Sequence, residues 1–438
     1  MIASFPNFLR QTVTMKGLSC FFFFAFFSVS LHAQLTEVAS PEIAGFSSSR
    51  LKRIDPVLQD YINKGTINGM VALIVKDGRI AYYKSFGTND ASGALLKRDA
   101  IFRIASQTKA ITSVAVMMLY EEGKFLLDDP VGNYIPEFRN AKVIDQYNEK
   151  DTTFTTIPAR RQVTIRDLLT HTSGIGYAQI GSAQANAIYY KAGVIGGIGI
   201  QGMVLADVIK KLGPLPLFHH PGEKFTYGLN TDVLGYLVEV VSGMTLNDFF
   251  AKRIFEPLGM KDTYFYIPSN KHNRLATLYT EDTATRKAVL MKENYQLNGT
   301  LYRDYPLING TYYSGGGGLS STIYDYALFL QMMLNGGQLN GKRLLGRNTV
   351  RMMTMNQIGD INRGANKFGL GFGITTEKGS AMLPTPEGVF EWGGMFATTY
   401  WVDPKEKIVA LLYRQIFPTS QGSLPNKFKV LVYQAVGD

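Results

Sequence analysis

The chain has 438 residues, 45% of them apolar and 18% charged, with 44 Gly, 17 Pro and a formal net charge of +10. That composition excludes a disordered or collagen-like chain, and the length admits two or three domains at about 150 residues each. One cysteine, Cys20, and five histidines exclude a disulfide framework and an iron–sulfur cluster. With no His-Glu-x-x-His or Cys-x-x-Cys pattern, they also point away from a zinc enzyme. No basic run exceeds two residues, as in Arg160-Arg161 and Lys210-Lys211. The charge is scattered, so no nucleic-acid partner is expected.

In chain order, Arg10 and Lys16 precede a Phe-rich apolar run from Leu18 to Leu31, and small Ala33 follows it. The run is too short for a membrane span of about 20 residues and suits a secretory signal over residues 1–33. Its removal takes away two positive charges and Cys20. Cys20 lies at the start of the run, not past its end as in a lipoprotein. An N-terminal membrane anchor is the alternative reading.

Between Ser49 and Ile62 the apolar residues recur at helical spacing. Met70 to Val75 and Arg79 to Tyr83 flank Asp77-Gly78, a strong hairpin signal. Helical patterns follow at Ala110–Glu122, Asp232–Val241, Thr245–Phe255, Tyr324–Leu334 and Asn348–Met355. Long polar or glycine-rich stretches separate them at Asn140–Gln162, Gly176–Gly202 and Ser269–Gly310. Near the end, Thr399–Val402 and Ile408–Tyr413 flank a turn at Asp403–Lys407, with a further strand at Val389–Trp392. The pattern predicts an α+β fold: an antiparallel sheet made by both chain ends and flanked by helices, with a mostly helical insertion. The sheet part spans about 46–100 and 365–438, and the helical part about 101–364, within one unit over 34–438.

Two phosphate-loop look-alikes carry nothing. Gly197 to Gly202 fits G-x-G-x-x-G but has no strand before it, and Gly336 to Lys342 is followed by Arg343 where Ser or Thr must stand. No G-x-S-x-G is present, so the α/β-hydrolase nucleophile elbow is absent.

Ser106 and Lys109 are three residues apart at the start of the first strong helix, so their side chains share one face. A serine hydroxyl needs a neighbouring base to become a nucleophile, and a neutral lysine can serve. The spacing alone is weak evidence, since Ser49 and Lys52 share it and a helix cap followed by a surface lysine has the same form.

The surrounding residues carry more weight. Phe102 to Lys109 resembles the nucleophile motif of the serine β-lactamase-like superfamily, which includes class C β-lactamases, D-Ala-D-Ala carboxypeptidases and related esterases. Leu168 to Gly174, Phe225-Thr226-Tyr227 before Asp232 to Gly235, Phe255 to Thr263 and Gly315 to Thr322 are similar to further segments of that superfamily, in the same order. The resemblance implies Ser106 as acylated nucleophile, Lys109 as its activating partner and Tyr227 as phenolic base or proton relay. It makes His171 part of a structural loop and not of a Ser-His-Asp triad.

Two positions depart from the lactamase pattern. Leu229 stands where Tyr-x-Asn has its asparagine, with Asn230 one place later. Trp392-Gly393-Gly394 stands where Lys-Thr-Gly is usual, which resembles the esterase branch. There Trp392 gives an apolar wall, Gly393 and Gly394 let substrate lie against the strand, and the N–H groups of Ser106 and Met395 form an oxyanion hole.

The sequence is therefore read as a secreted serine hydrolase of the carboxylesterase type, working through an acyl-enzyme on a small ester or amide without metal or cofactor. The rivals are a β-lactamase or D-Ala-D-Ala carboxypeptidase and a non-catalytic cell-wall-binding module. Export is expected to remove the chain up to about Ala33, leaving no membrane segment. N-terminal sequencing of the exported product checks this: a chain still starting at Met1 or Met15 and sedimenting with membranes contradicts it.

Overall fold

Two hairpins from opposite ends of the chain pair with each other at the centre of the fold. The computed structural model describes residues 1, 2, 4 and 35–437, apart from 91, 179, 195 and 297–299. All but three residues of the expected signal segment therefore lie outside the described residues. The main sheet has eight strands: β1 (Thr36–Glu37), β2 (Gly69–Lys76), β3 (Arg79–Gly87), β4 (Lys367–Phe368), β5 (Gly373–Ile374), β6 (Phe390–Gly394), β7 (Thr398–Asp403) and β8 (Ile408–Arg414). Their spatial order is β1-β3-β2-β8-β7-β6-β5-β4. Every pairing is antiparallel except the short β1, which runs parallel to β3.

The β2–β3 turn takes positive φ at both Asp77 (51°) and Gly78 (77°), the backbone of a type I′ hairpin. The β7–β8 turn is held by Asp403, whose carboxylate accepts from the N–H groups of Lys405 and Glu406. The two turns meet where Asp77 N–H donates to Lys407 O at 2.9 Å. From there β2 and β8 pair along Met70–Lys76 and Ile408–Arg414. All seven residues of β8 are buried, as expected for a strand covered on both faces.

Alternation along these strands sorts the core into two layers. Met70, Ala72, Ile74, Ala410 and Leu412 pack with α1 (Ile54–Asn63) and with a helix near the C-terminus, Leu424–Tyr433. Val71, Leu73, Val75, Val409 and Leu411 pack toward the insertion, whose main helices are α2 (Thr108–Glu121), α3 (Asn230–Ser242) and α4 (Ile323–Leu334). Residues Thr108 to Leu119 of α2 are all buried, so this helix is a core element on every side.

Several expected elements differ in detail. The helix read over Ser49–Ile62 breaks into Ser48–Leu51 and α1, because the ring of Pro56 clashes with the carbonyl four residues back. The helix read over Thr245–Phe255 ends in a π-helical stretch at Ala251–Phe255 just before Pro257. The long polar stretches are not bare loops. They carry a hairpin (Lys142–Tyr147 with Phe154–Pro158), a helix (Ala183–Lys191) and two small hairpins between Tyr279 and Tyr302. Hairpins this short have no strong alternation of their own and depend on the body they rest on.

A second, three-stranded sheet joins the insertion to the site. Its central strand Ser320–Thr322 pairs with Ile101–Arg103 and with Thr263–Tyr264. Arg103 is fully buried there. It donates through Nη1 to Ala276 O at 2.8 Å, and its backbone N–H and C=O are both bonded by the Gln415 amide, each at 3.1 Å. Gln415→Leu leaves two buried backbone groups without partners, each costing about 1–3 kcal/mol. Urea unfolding should show a loss of that order, and an unchanged midpoint contradicts the role given to Gln415.

Candidate active site

The chain leaves Ile101–Arg103 through a tight turn, Ala105–Gln107, and enters α2 at Thr108. Ala105 has φ +44°, a strained left-handed conformation for a residue with a Cβ. Such strain costs on the order of 1–3 kcal/mol and persists only where the surroundings enforce it. Here they do. Gln107 accepts Tyr413 Oη at its side chain and Tyr326 Oη at its carbonyl (2.5 and 2.8 Å), and Thr108 Oγ1 accepts Leu319 N–H at 3.1 Å. These clamps fix the two residues that follow Ser106.

One helical turn on, Lys109 is only 2% exposed. Its Nζ donates to Gly316 O at 2.6 Å and reaches Ser106 Oγ at 3.3 Å. The same nitrogen lies 4.7 Å from the ring centroid of Tyr227 and 5.6 Å from that of Tyr177. Trp392 Nε1–H donates to Tyr227 Oη at 3.4 Å, with the rings 5.6 Å apart. Ser106, Lys109, Tyr227 and Trp392 thus form one connected set.

The end of β6 reaches the Ser106 turn itself. A Cβ on Gly394 would lie 2.3 Å from Ile104 O, so only glycine permits this approach. Thr398 Oγ1 donates to the same carbonyl at 3.5 Å. Met395 follows directly and packs in a cluster with Ala105, Ile198 and Phe396. Gly393 lines the adjacent cavity along the strand.

His171 is not in contact range of a triad. It is buried behind Tyr227, with ring centroids 4.8 Å apart, and its Nδ1 meets the Asn230 amide at 2.9 Å. Burial, with the charges of Lys109 and Arg363, holds its pKa well below the usual 6.5. Asn230 does not replace the asparagine missing at Leu229: its amide is bonded to His171 and Ser173, and Leu229 is itself in the core.

Two participants were not picked out from sequence. Tyr177 hydrogen-bonds Tyr227, and burial, then Tyr227 and Asp232, push its pKa far up. Asp232 is fully buried and accepts from Ser314 Oγ (2.6 Å) and Gly316 N–H (3.3 Å), fixing the loop whose carbonyl holds Lys109. Burial raises its pKa against the pull of Ser314 and Lys109. Among 24 tyrosines, Tyr177 carries no local signal. Asp232 reads as an ordinary first-turn helix acid.

The beta-lactamase family model matches residues 54–433. The chain belongs to that family, and the fold and the connected site define it as a beta-lactamase-family hydrolase. Esterase EstB of Burkholderia gladioli is 29% identical over 402 residues, covering 88% of this chain and 96% of that protein. A protein of Escherichia coli K12, provisionally named a D-alanyl-D-alanine carboxypeptidase, is 29% identical over 402 residues, covering 86% and 84%. The structure of EstCE1, described as a hydrolase with promiscuous acyltransferase activity, superposes with a TM-score of 0.75 at 27% identity, covering 88% of this chain and 99% of that one.

The buried His171 sets a pH dependence. Folded, it stays neutral, whereas the unfolded chain binds a proton near pH 6.5, so stability is present above that value and is lost as pH falls toward the depressed folded value. His171 has φ +57°, which asparagine tolerates. His171→Asn should therefore flatten the loss of stability below pH 6.5, by up to about 1.4 kcal/mol per pH unit. Denaturant titrations at pH 5 and 7 that give the same drop in unfolding free energy for both proteins contradict this.

Proposed function

We propose that this protein is an exported serine carboxylesterase that works through an acyl-enzyme. The observation that carries the reading is the Ser106 Oγ–Lys109 Nζ contact inside the connected set that also holds Tyr227 and Trp392. Ser106 Oγ attacks the ester carbonyl carbon, and its proton passes to the Lys109–Tyr227 pair. The tetrahedral oxyanion is held by the N–H groups of Ser106 and Met395, as the meeting of β6 with the nucleophile turn favours. Collapse expels the alcohol, which takes the proton, and leaves the acyl group on Ser106. Water then attacks with the same pair as base, releasing the acid and restoring the serine. EstB and EstCE1 lend support as relatives named for ester or acyl chemistry.

The second reading, a lactam- or D-Ala-D-Ala-directed enzyme, has the carboxypeptidase-named relative in its favour. Leu229 and Trp392 weigh against it, since neither supplies the amide or cation of the lactamase motifs. Sites that rely on such polar groups lose several orders of magnitude in discrimination without them.

Ser106→Ala should lower turnover by on the order of a millionfold without unfolding the protein, as loss of a nucleophile does in other serine hydrolases. Lys109→Ala should be nearly as damaging, and Ser49→Ala silent. Retention of most activity in Ser106→Ala overturns the assignment. On one preparation, p-nitrophenyl acetate or butyrate should show a much higher kcat/KM than nitrocefin. A preference for the cephalosporin, or D-Ala release from a peptidoglycan peptide, replaces the esterase reading with the second one.

A further inference from the structure

Arg363 belongs to none of the motifs above, yet it lies against the site. It sits in the segment before β4, with its guanidinium carbon 5.2 Å from the ring centroid of Trp392 and 5.3 Å from those of Phe225 and Phe368. Nη1 donates to Lys367 O at 3.1 Å. Among the described residues no carboxylate pairs with it. Glu391, the acid whose charge acts on it, is bonded to Lys429 instead. A partly buried cation without an anion is costly, and three aromatic faces offset only part of that cost.

The space beside Arg363 is open. A cavity of about 250 Å³ is lined by Arg363, Asn366, Trp392, Gly393, Thr399 and Asn426. Of its lining, Gly393 and Thr399 face the side of the sheet covered by Leu424–Tyr433, whereas Trp392, against which Arg363 stacks, belongs to the side that holds Tyr227. Gly373 leaves room at its wall: a Cβ there would lie 3.4 Å from Arg363 Nη2 and 3.3 Å from the Trp392 indole. The charged groups at the cavity are Arg363, Lys429 and Glu391, which leaves one net positive charge. That complements a monoanion, and a guanidinium edge with free N–H groups matches a carboxylate in both charge and geometry.

We propose that Arg363 and this cavity bind a carboxylate carried by the ester substrate, away from the bond that is cleaved. The inference rests on the carboxylesterase reading and narrows it to esters that are themselves acids. Trp392 then serves as the wall between the reacting carbonyl and the anion.

Two matched pairs of esters test it. One pair places the charge on the acyl side (mono-p-nitrophenyl glutarate against p-nitrophenyl pentanoate). The other places it on the leaving group (4-acetoxybenzoate against 4-acetoxyacetophenone). The wild type should favour the anionic member of at least one pair by about tenfold to a hundredfold in kcat/KM, the worth of a charge-assisted hydrogen bond. The preference should fall as salt is added. The readout in the variants is the ratio within a pair, which partial misfolding does not change. Arg363→Gln should abolish the ratio, Arg363→Lys should keep part of it, and Glu391→Gln should increase it. Hydrolysis of the neutral esters with no anionic preference, or a preference that survives Arg363→Gln, overturns the inference and leaves the esterase reading standing. Hydrolysis of no ester at all sinks the esterase reading and this inference with it.

Discussion

A lysine nitrogen taken out of water must find partners, and much of this site is the set of partners that Lys109 requires. At 2% exposure a polar nitrogen left without partners would cost about 1–3 kcal/mol. The carbonyl of Gly316, the hydroxyl of Ser106 and the faces of Tyr227 and Tyr177 answer that demand. Each in turn fixes something else. Gly316 is held by Asp232, Tyr227 by Trp392 and His171, and Ser106 by the strained turn at Ala105. Removing the lysine would leave a carbonyl and two aromatic faces turned toward an empty space. The site is therefore coupled in the sense that its members share one buried nitrogen.

The backbone must come unusually close for those partners to meet, and glycine is what allows it. A Cβ on Gly316 would lie 2.3 Å from Asp232 Oδ2, and one on Gly228 would lie 2.0 Å from Ile175 O. With Gly394 against Ile104 O, these close approaches bring three chain segments, distant in sequence, around the Ser106 turn. The sheet supplies the rigidity behind them. The β2–β8 pairing joins the chain ends into one platform, and β6 leans its last glycine from that platform onto the Ser106 turn.

Local sequence carried the parts of this that are local. Asp77-Gly78 announces its hairpin because two successive positive φ values favour that dipeptide, and the Ser106–Lys109 spacing is fixed by the pitch of α2. The helices around the site were visible as periodic patterns, though the break before Pro56 was not used. The resemblance to known motifs found Tyr227 and the Trp392-Gly393-Gly394 strand, which no periodicity singles out. Tyr177, Asp232 and Arg363 stayed hidden for a common reason. Their significance lies in contacts across long stretches of chain, Asp232 to Ser314 and Gly316, Arg363 to Phe225 and Trp392, and nothing in their own neighbourhoods differs from an ordinary tyrosine, helix acid or loop arginine. His171, by contrast, has chemistry that invites attention, and burial removes it from that chemistry.

The orientation of Tyr227 follows from these neighbours. Its oxygen accepts the Trp392 N–H, and an indole nitrogen can only donate. One lone-pair direction of the phenol is thereby fixed toward β6, and the phenolic hydrogen must point elsewhere, into the space shared with Tyr177, Lys109 and Ser106. His171, neutral and bonded to Asn230, supports the ring from behind without adding a charge. A protonated imidazole there would place a positive charge close to Lys109, across a medium that screens poorly, and would oppose a proton arriving on that nitrogen. The histidine's burial and the lysine's therefore belong to one electrostatic arrangement: the proposed uptake of the serine proton by the Lys109–Tyr227 pair is open because His171 is kept from placing a cation beside it.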